Sequence, residues 1–388
     1  MNKLKKEKLV ICTTVPDTLL YILNGQPKYL KKYFDVVIIT SYSGYNRNFF
    51  ELENVTVYNV AFKRDINLLY DIVALFQMIL LLCKVKPQII HSYTPKAGLI
   101  SMVSAWILRI PIRIHTFTGL LFPYQIGFKK LLLIVIDRLI CFCSTKIIPE
   151  GQGVKNDLIS FGITNKRLDI IGNGNISGID IVHFSTNSVD YTVSLEKLGI
   201  CSDLICDKFV YCFIGRLNFD KGLSELYQAF VTLPENTFLL IAGDLDKEGN
   251  SIQIDLHTKM KNHSRIILLG FVSDVRLVLK LANVLVLPSY REGFPNVLLQ
   301  SLSMNVPAIA TNINGCNEII IDNYNGWLVE PKSAKDLANK MSFVLKIDKN
   351  NFDKIKENSR ESISSRFEQS EYRKLLVKMY KNLILNER

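Results

Sequence analysis

A carboxylate and an amide stand eight residues apart at Glu292 and Gln300, on either side of a turn that leads into an apolar helical pattern. Gly293 lets the backbone approach a ligand closely, and Pro295 suits a first helical turn because its missing N–H is no loss there. An ionised carboxylate only accepts hydrogen bonds, whereas an amide both accepts and donates. Glu292 therefore suits a hydroxyl donor, and Gln300, with Asn296 one turn earlier on the same face, suits a vicinal diol.

Two cations lie five residues apart in FIGRLNFDKGLSEL, residues 213–226. Arg216 follows a predicted strand and Gly215, and Lys221 precedes a predicted helix. Two positive charges beside the free N–H groups of a helix N-terminus suit a diphosphate. The alternative is a pair of ordinary solvated cations.

A third loop, LLGFVSDVRLVLKLA at residues 268–282, also follows a predicted strand. A plain helix cap at Ser273 or Asp274 is the favoured interpretation. The alternative is that the backbone around Val272 holds the edge of a base.

Alternating strand and helix patterns must position these loops. Apolar, β-branched runs lie at residues 8–14, 35–41, 55–60, 87–92, 112–117 and 145–150, and again at 209–215, 237–243, 265–270, 283–289 and 306–311. Helical patterns separate most of these runs, which is typical of parallel sheets covered on both faces. The fold class is therefore α/β with two doubly wound sheets, and ligands are expected beyond the carboxyl ends of the strands.

A chain of 388 residues that is 48% hydrophobic is too long for one small core, so two globular domains are expected. We predict an N-terminal domain at 1–184, a polar linker at 185–205 and a C-terminal domain at 206–365. The helical pattern at about 366–388 is expected to pack back on the N-terminal domain.

The net charge of +11 is unevenly distributed. Residues 1–190 hold 22 Lys and Arg against 13 Asp and Glu, whereas the remainder holds 25 against 23. This excess indicates an anionic partner for the first domain, with an ordinary basic surface as the alternative. No nucleic acid is expected as a partner, because the basic run at residues 3–8 is not interleaved with aromatic residues.

The segment FPYQIGFKKLLLIVIDRLICF, residues 122–142, combines aromatic flanks, Lys129, Lys130 and an apolar body. It suits an interfacial helix on an anionic membrane, or else a buried helix of the sheet layer. Apolar stretches fall short of the roughly 20 residues that span a bilayer, so no transmembrane helix is expected. Eight cysteines without zinc-site spacing predict buried thiols in a reducing cytoplasm and no metal.

Several motifs in order carry a family resemblance. REGFPNVLLQSLSMNVPAIATNINGCNEIIIDNYNGWLV, residues 291–329, with GRLNFDKG and LGFVSD upstream, resembles the donor domain of retaining family 4 glycosyltransferases of the GT-B fold. HSYTPKAGL, IRIHTFTG, GFKKLLLIVIDRLI and IIGNGNISGIDIVHF resemble the acceptor domain of bacterial capsule, exopolysaccharide and O-antigen enzymes. The resemblance covers essentially the whole chain and implies two Rossmann-like domains facing a cleft.

The resemblance implies roles for the donor-side residues. Glu292, Arg216 and Lys221 are implied to be catalytic: the carboxylate contacts the donor sugar and the two cations hold the diphosphate. Gln300 replaces the second glutamate of the Glu-x7-Glu motif, which normally binds the ribose diol, so weaker nucleotide binding is expected rather than inactivity. The other implied donor-binding residues are Gly215, Val272, Asp274, Gly293, Phe294, Pro295, Asn296 and Val297.

The resemblance also points to residues on the acceptor side. Many relatives have a histidine directly before the glycine of HTFTG, where this chain has Thr118 before Gly119. Threonine cannot act as a titrating base near neutral pH, so no protein base is expected there. Four more residues follow predicted strands and are expected to face the cleft: Asn24, Gly25, Lys96 and Glu150. Lys96 is expected to meet an acceptor pyrophosphate or else to be a surface lysine.

The implied function is retaining, metal-independent transfer of a sugar from a nucleotide sugar, with UDP favoured, to an undecaprenyl-diphosphate-linked saccharide. The leaving phosphate would take the proton of the acceptor hydroxyl, and no cofactor is needed. The implied location is cytoplasmic, peripheral on the inner face of the cytoplasmic membrane. A GT-B sugar-nucleotide 2-epimerase and a non-catalytic nucleotide-sugar-binding subunit remain as alternatives.

Overall fold

The computed structural model describes residues 6–42, 53–63, 67–246 and 251–387. The chain divides into unit 1, Met1–Gly178 with Gln369–Arg388, and unit 2, Ile179–Glu368. Part of the basic run at residues 3–8 lies outside the described residues. The division falls at residue 178, earlier than the predicted domain end at residue 184.

Unit 1 contains a six-stranded parallel sheet of order β3-β2-β1-β4-β5-β6. Its strands are β1 Lys8–Cys12, β2 Asp35–Thr40, β3 Thr56–Asn59, β4 Ile89–Ser92, β5 Ile112–Phe117 and β6 Lys146–Pro149. Its α-helices are α1 Gln26–Leu30, α2 Leu68–Val85, α3 Pro95–Ile107, α4 Gly127–Cys143, α5 Gln152–Ser160 and the C-terminal helix Gln369–Asn386. A π-helical turn spans Thr18–Ile22, and a 3-10 turn spans Phe122–Tyr124.

Side chains of successive strand residues enter opposite apolar layers of unit 1. In β1, Val10 and Cys12 join the layer that packs against α2, α3 and α4, while Leu9 and Ile11 join the other layer. That second layer includes Leu376 of the C-terminal helix. Burial on both faces explains why residues 9–12 of β1 are an unbroken apolar run rather than alternating.

Unit 2 repeats the same parallel strand order, β12-β11-β10-β7-β8-β9. Its strands are β7 Phe209–Ile214, β8 Thr237–Ala242, β9 Ile266–Gly270, β10 Val284–Leu287, β11 Ala308–Thr311 and β12 Gly326–Val329. Its helices are α6 Tyr191–Leu198, α7 Ser202–Ile205, α8 Leu223–Phe230, α9 Ile254–Lys261, α10 Arg276–Leu281, α11 Asn296–Ser303, α12 Cys316–Ile319, α13 Ala334–Val344 and α14 Lys349–Ser364. Short 3-10 turns span Thr186–Ser188 and Phe219–Lys221. The two doubly wound parallel sheets confirm the predicted fold class.

The segment at 185–205, predicted as a linker, is a folded part of unit 2. Leu195 of α6 and Ile205 of α7 are buried in the core of this unit. Lys280 Nζ donates to the Thr186 carbonyl at 2.7 Å, and Asp190 caps α6 through its side chain. Its polar composition reflects two short helices with one face in solvent rather than a flexible connection.

The sequence prediction places eleven of the twelve strands and misses β12, which has only four residues. The eight cysteines are free thiols, but Cys83, Cys201 and Cys206 are exposed, so the prediction that all are buried is wrong for these three. Within the described ranges, no helix is both long and apolar enough to cross a bilayer. The same residues contain no group of three or more His, Cys, Asp or Glu side chains that could hold a metal ion.

Candidate active site

The loops after β7 and β10 meet at the centre of the second sheet. These two strands are neighbours, and the strands that follow each of them lead away in opposite directions. Open α/β sheets bind ligands at such a switch point, beyond the carboxyl ends of the strands. Across it, Lys221 Nζ donates to Glu292 Oε1 at 2.5 Å, with 21% and 12% of the two side chains exposed. The structure thus joins two residues that the sequence singles out 71 positions apart.

Two glycines allow the loops of this site to approach closely. Gly222 has φ +64°, and a Cβ there would lie 2.1 Å from the Pro288 carbonyl oxygen. Gly315 has φ +80°, and a Cβ there would lie 2.0 Å from the Gly293 carbonyl oxygen. Any side chain would therefore push the loops apart at both contacts.

Arg216 lies on the same loop as Lys221 but is open to solvent. Its side chain is 63% exposed, and its Nη1 lies 3.4 Å from Asp246 Oδ2. Asn218 Nδ2 donates to the same carboxylate oxygen at 3.2 Å. The Lys221 side chain turns back towards Gly215, where a Cβ would lie 4.0 Å from Lys221 Cε. The loop therefore presents one exposed cation and one cation paired with Glu292.

The segment after Glu292 leads into α11 as the sequence suggests, with Pro295 as the residue before the first helical turn. Asn296 and Gln300 are half-buried and lie one turn apart on this helix. Within the described part of the chain, the Gln300 side chain makes no hydrogen bond. The ring of Phe294 is buried and packs against Phe367 at 5.5 Å.

The loop after β9 places Asp274 against an arginine of the next helix. Arg276 Nε and Nη2 donate to the two carboxylate oxygens of Asp274 at 2.8 and 2.7 Å. This pairing lowers the pKa of Asp274 below its ordinary value. Val275 directly precedes the helix, and Asp274 Oδ1 accepts the backbone N–H of Arg276 at 3.2 Å, as a cap does. Val272 packs against the core. The Asp274 side chain therefore fixes this turn.

A second ion pair lies directly beside the first and is missed by sequence reasoning. Arg291 Nε and Nη2 both donate to Asp220 Oδ2, at 2.9 and 2.6 Å. The Tyr290 hydroxyl donates to Glu225 Oε2 at 2.6 Å. The only sequence signal for the ion pair is that Asp220 and Arg291 each immediately precede a residue of the predicted site.

The thiol of Cys316 is buried close to the Lys221–Glu292 pair. Burial raises its pKa far above the ordinary value, and the neighbouring Glu292 carboxylate raises the pKa further. The thiol is therefore neutral near neutral pH and is not a nucleophile.

In unit 1, Asn24 and Gly25 occupy a hydrogen-bonded turn. Gly25 N donates to Glu53 Oε1 at 2.6 Å, and Arg373 Nη2 donates to the Asn24 carbonyl at 2.7 Å. Lys96 Nζ lies 2.7 and 2.8 Å from the two carboxylate oxygens of Asp71, and only 10% of its side chain is exposed. Lys96 is therefore not the surface lysine of the alternative interpretation.

The remaining acceptor-side residues follow β5 and β6. Thr118 Oγ1 donates to the Tyr93 carbonyl at 3.1 Å, Gly119 has φ +88°, and Glu150 is buried. His115 is buried with its Nδ1 2.7 Å from Ser92 Oγ. Burial lowers its pKa to about 3, so this imidazole is neutral near neutral pH.

The family model "Glycosyl transferase 4-like domain" matches residues 30–174, and the model "Glycosyl transferases group 1" matches residues 203–362. The capsular polysaccharide biosynthesis glycosyltransferase CapM of Staphylococcus aureus is 32% identical over 99% of each chain. The UDP-Gal:alpha-D-GlcNAc-diphosphoundecaprenol alpha-1,3-galactosyltransferase of Escherichia coli is 26% identical over 79% of each chain.

Solved structures show the same architecture. Anabaena HepE, crystallised with UDP and glucose, gives a TM-score of 0.80 at 19% identity, over 97% of this chain and 100% of that chain. Sucrose-phosphate synthase of Thermosynechococcus elongatus gives 0.80 at 16% identity, over 98% and 100%. With this GT-B architecture and full-length similarity to CapM, the chain belongs to the family 4 glycosyltransferases of the capsular polysaccharide and O-antigen type.

Proposed function

We propose that this glycosyltransferase transfers a sugar from a UDP-linked donor, with retention of anomeric configuration, to a saccharide carried on undecaprenyl diphosphate. Unit 2 binds the donor and unit 1 the acceptor. The observation that carries the proposal is the Lys221–Glu292 pair at the switch point of unit 2. The name of the E. coli relative, which includes UDP-Gal and diphosphoundecaprenol, and the UDP bound to HepE support the substrate classes.

In this proposal the donor separates Lys221 from Glu292 and gives each of them a new partner. The diphosphate takes the Lys221 ammonium and the exposed Arg216 guanidinium, and Glu292 accepts a hydrogen bond from a sugar hydroxyl. Backbone N–H groups of residues 293–297, at the start of α11, add donors for the anion. As the glycosidic bond breaks, negative charge accumulates on the leaving diphosphate, so fixed cations stabilise the transition state more than the ground state.

The proton of the acceptor hydroxyl passes to the leaving phosphate on the same face of the sugar, which gives retention. Neither Thr118, whose hydroxyl donates to a backbone carbonyl, nor the buried neutral His115 is assigned as a base. The reaction requires no cofactor. We also propose that it requires no divalent metal, because Arg216 and Lys221 meet the diphosphate charge.

A three-helix surface of unit 1 supports a peripheral membrane contact. Helices α2, α3 and α4 pack on one face of the sheet through the same apolar layer. Their outward sides, with the turn before α4, expose large apolar residues, which we call the apolar face: Leu69, Ile72, Val73, Phe76, Leu80, Trp106, Ile107, Ile126, Phe128, Leu131, Val135, Leu139 and Phe142. On α4 the spacing of 128, 131, 135, 139 and 142 forms one continuous stripe. An amphipathic layer of this kind suits a lipid interface.

The charges around the apolar face favour anionic lipid. Lys84, Lys86, Lys129 and Arg138 are exposed on or beside these helices. The carboxylates of the three helices are Asp71, which pairs with Lys96, and Asp137, which is buried. Exposed cations without exposed carboxylates attract an anionic surface. We therefore propose that the enzyme acts in the cytoplasm, on the inner face of the cytoplasmic membrane.

The proposal is tested by incubating the protein with UDP-sugars and an undecaprenyl-diphosphate disaccharide in detergent, with and without EDTA. We expect an α-linked product by NMR from an α-linked donor, a rate unchanged by EDTA, and loss of transfer in Arg216→Ala and Lys221→Ala variants that still fold. Near-normal transfer by both variants would contradict the diphosphate assignment. Conversion of the UDP-sugar without acceptor would indicate the epimerase alternative, and binding without turnover would indicate a non-catalytic subunit.

A further inference from the structure

We infer that Asp220 and Arg291 are positioning residues that hold the two donor loops together while the donor separates Lys221 from Glu292. This inference rests on the proposed function, because it assigns a role in donor binding and transfer. Neither residue is assigned a contact with the substrate.

The two ion pairs are formed by consecutive residues of the two loops. Asp220 pairs with Arg291, and the next residue of each loop, Lys221 and Glu292, forms the next pair. The Tyr290 backbone N–H also donates to the Asp220 carbonyl oxygen at 2.7 Å. The loops after β7 and β10 are thus joined by a backbone hydrogen bond, then by a forked arginine contact, then by the lysine contact.

The two pairs differ in what the donor does to them. The Lys221 ammonium and the Glu292 carboxylate each have a partner on the proposed donor, so the bond between them is exchanged when the donor binds. The Asp220–Arg291 pair has no such competitor in this scheme. The Nε and Nη2 donors of Arg291 converge on one carboxylate oxygen, which fixes direction as well as distance because the guanidinium is planar and rigid. This pair therefore maintains the spacing of the two loops when the neighbouring contact is lost.

Other contacts fix the loop after β10 at Tyr290, one residue before Arg291. The Phe219 and Tyr290 rings pack edge to face at 5.4 Å, and the Tyr290 hydroxyl binds Glu225. These contacts anchor Tyr290, and the Asp220–Arg291 pair carries the connection between the two loops on to the residue next to Glu292. Because that pair is partly exposed, its contribution to the stability of the free protein is expected to be small. Its effect should appear mainly in the donor-bound state.

The test compares Asp220→Asn and Arg291→Gln with the wild type, Lys221→Ala and a control, Glu235→Gln. Glu235 also pairs with an arginine in unit 2, Arg265 at 3.4 Å, but its side chain is exposed and outside the site. The melting temperature is measured with and without a UDP-sugar, and kcat and KM are measured for transfer. We expect the two test variants to melt close to the wild type without donor, to lose most of the donor-induced rise, and to lose about 100-fold in kcat/KM. The control should match the wild type.

Two rescue variants separate positioning from a general structural role. The double reversal Asp220→Arg with Arg291→Asp should recover at least about tenfold in kcat/KM over the single variants. Arg291→Lys, which keeps the charge without the fork, should fall between the wild type and Arg291→Gln.

The outcomes distinguish this inference from the proposed function. If the wild type shows no donor-induced rise, or Lys221→Ala equals the wild type, the proposed function fails. If both behave as proposed but Asp220→Asn and Arg291→Gln keep kcat/KM within about twofold, the positioning role is overturned. The positioning role is also overturned if the two variants lower the melting temperature equally with and without donor. A double reversal that folds but is no more active than the single variants overturns it as well.

Discussion

The switch points of the two units share one geometry and differ in chemistry. In unit 1 the loops after β1 and β4 are joined by neutral hydroxyls, since Thr14 Oγ1 lies 2.7 Å from Thr94 Oγ1 and the Thr14 N–H also donates to Thr94 at 2.9 Å. In unit 2 the equivalent loops are joined by two consecutive ion pairs, Asp220–Arg291 and Lys221–Glu292. The same scaffold therefore joins these loops through neutral hydroxyls in one unit and through separable charges in the other.

A buried polar network of unit 1 is neutral as well. In unit 1, His91 is buried between the Thr116 and Tyr380 hydroxyls at 2.7 and 2.6 Å, and burial lowers its pKa well below the ordinary value. The charges of unit 2 lie on the loops themselves and are partly exposed. Strand order alone thus does not determine which ligand a doubly wound unit accepts.

The largest effect is expected from removing the lysine of the charged switch point. Lys221→Ala should lower kcat by about 10²–10³-fold, because one fixed cation is lost where negative charge develops. The corresponding change in unit 1, Thr94→Ala, should leave UDP-sugar affinity unchanged in a calorimetric titration. A large loss of donor affinity in Thr94→Ala would remove the distinction between the two switch points.

The pH dependence of unfolding tests whether the buried carboxyl group of Asp137 in unit 1 is neutral. Asp137 is buried on α4, and burial raises its pKa to about 7. Because the folded pKa is raised, its stabilising effect is complete below the unfolded value near 4 and is lost as pH rises through about 7. Asp137→Asn should therefore gain about 3 kcal/mol over the wild type between pH 5 and pH 8 in urea unfolding. A difference that does not change with pH would contradict this.

Close loop contact in unit 2 is tested by a matched pair of glycine substitutions. Gly222 and Gly199 have the same φ, +64°, but a Cβ on Gly199 meets nothing within 4 Å. Gly199→Ala should cost about 1 kcal/mol for the left-handed backbone alone. Gly222→Ala should cost about 2 kcal/mol more, because the loops must also separate at Pro288. Equal losses in urea unfolding would show that the contact is unimportant.

The apolar face of unit 1 is tested by vesicle sedimentation. The double change Phe128→Ser with Phe142→Ser should weaken binding to phosphatidylglycerol vesicles by about tenfold or more, because two exposed rings no longer enter the interface. Ile254→Ser removes an equally exposed apolar side chain from unit 2 and should have no effect. Binding that is unchanged by the double substitution would argue against this surface.

The smallest effect is expected at Gln300, which the family resemblance implies binds the ribose diol. Gln300→Glu restores a carboxylate, which accepts from both hydroxyls of a diol, and should raise UDP affinity by about threefold in calorimetry. A lower affinity would indicate that Gln300 is itself suited to the nucleotide of this enzyme.

The sequence predicts what depends on local pattern and motif. Eleven of the twelve strands, the two doubly wound sheets and the roles proposed for Arg216, Lys221 and Glu292 follow from periodicity and from ordered motifs. The Arg291–Asp220 and Lys96–Asp71 pairs could not be predicted, because their partners lie 71 and 25 residues apart and no pattern couples them. The exposed stripe of α2 was likewise missed, since one sequence cannot tell which apolar residues of a helix face the core.

The most direct test of a charged donor site in unit 2 is a thermal-shift panel with UDP, GDP, ADP, CMP and UDP-sugars, run on the wild type and on Arg216→Ala and Lys221→Ala. A ligand that binds only the folded protein must raise the melting temperature. We expect stabilisation by UDP and UDP-sugars that is lost in both variants. Stabilisation that is unchanged in the variants, or absent in the wild type with every nucleotide, would contradict the assignment of this switch point as the donor site.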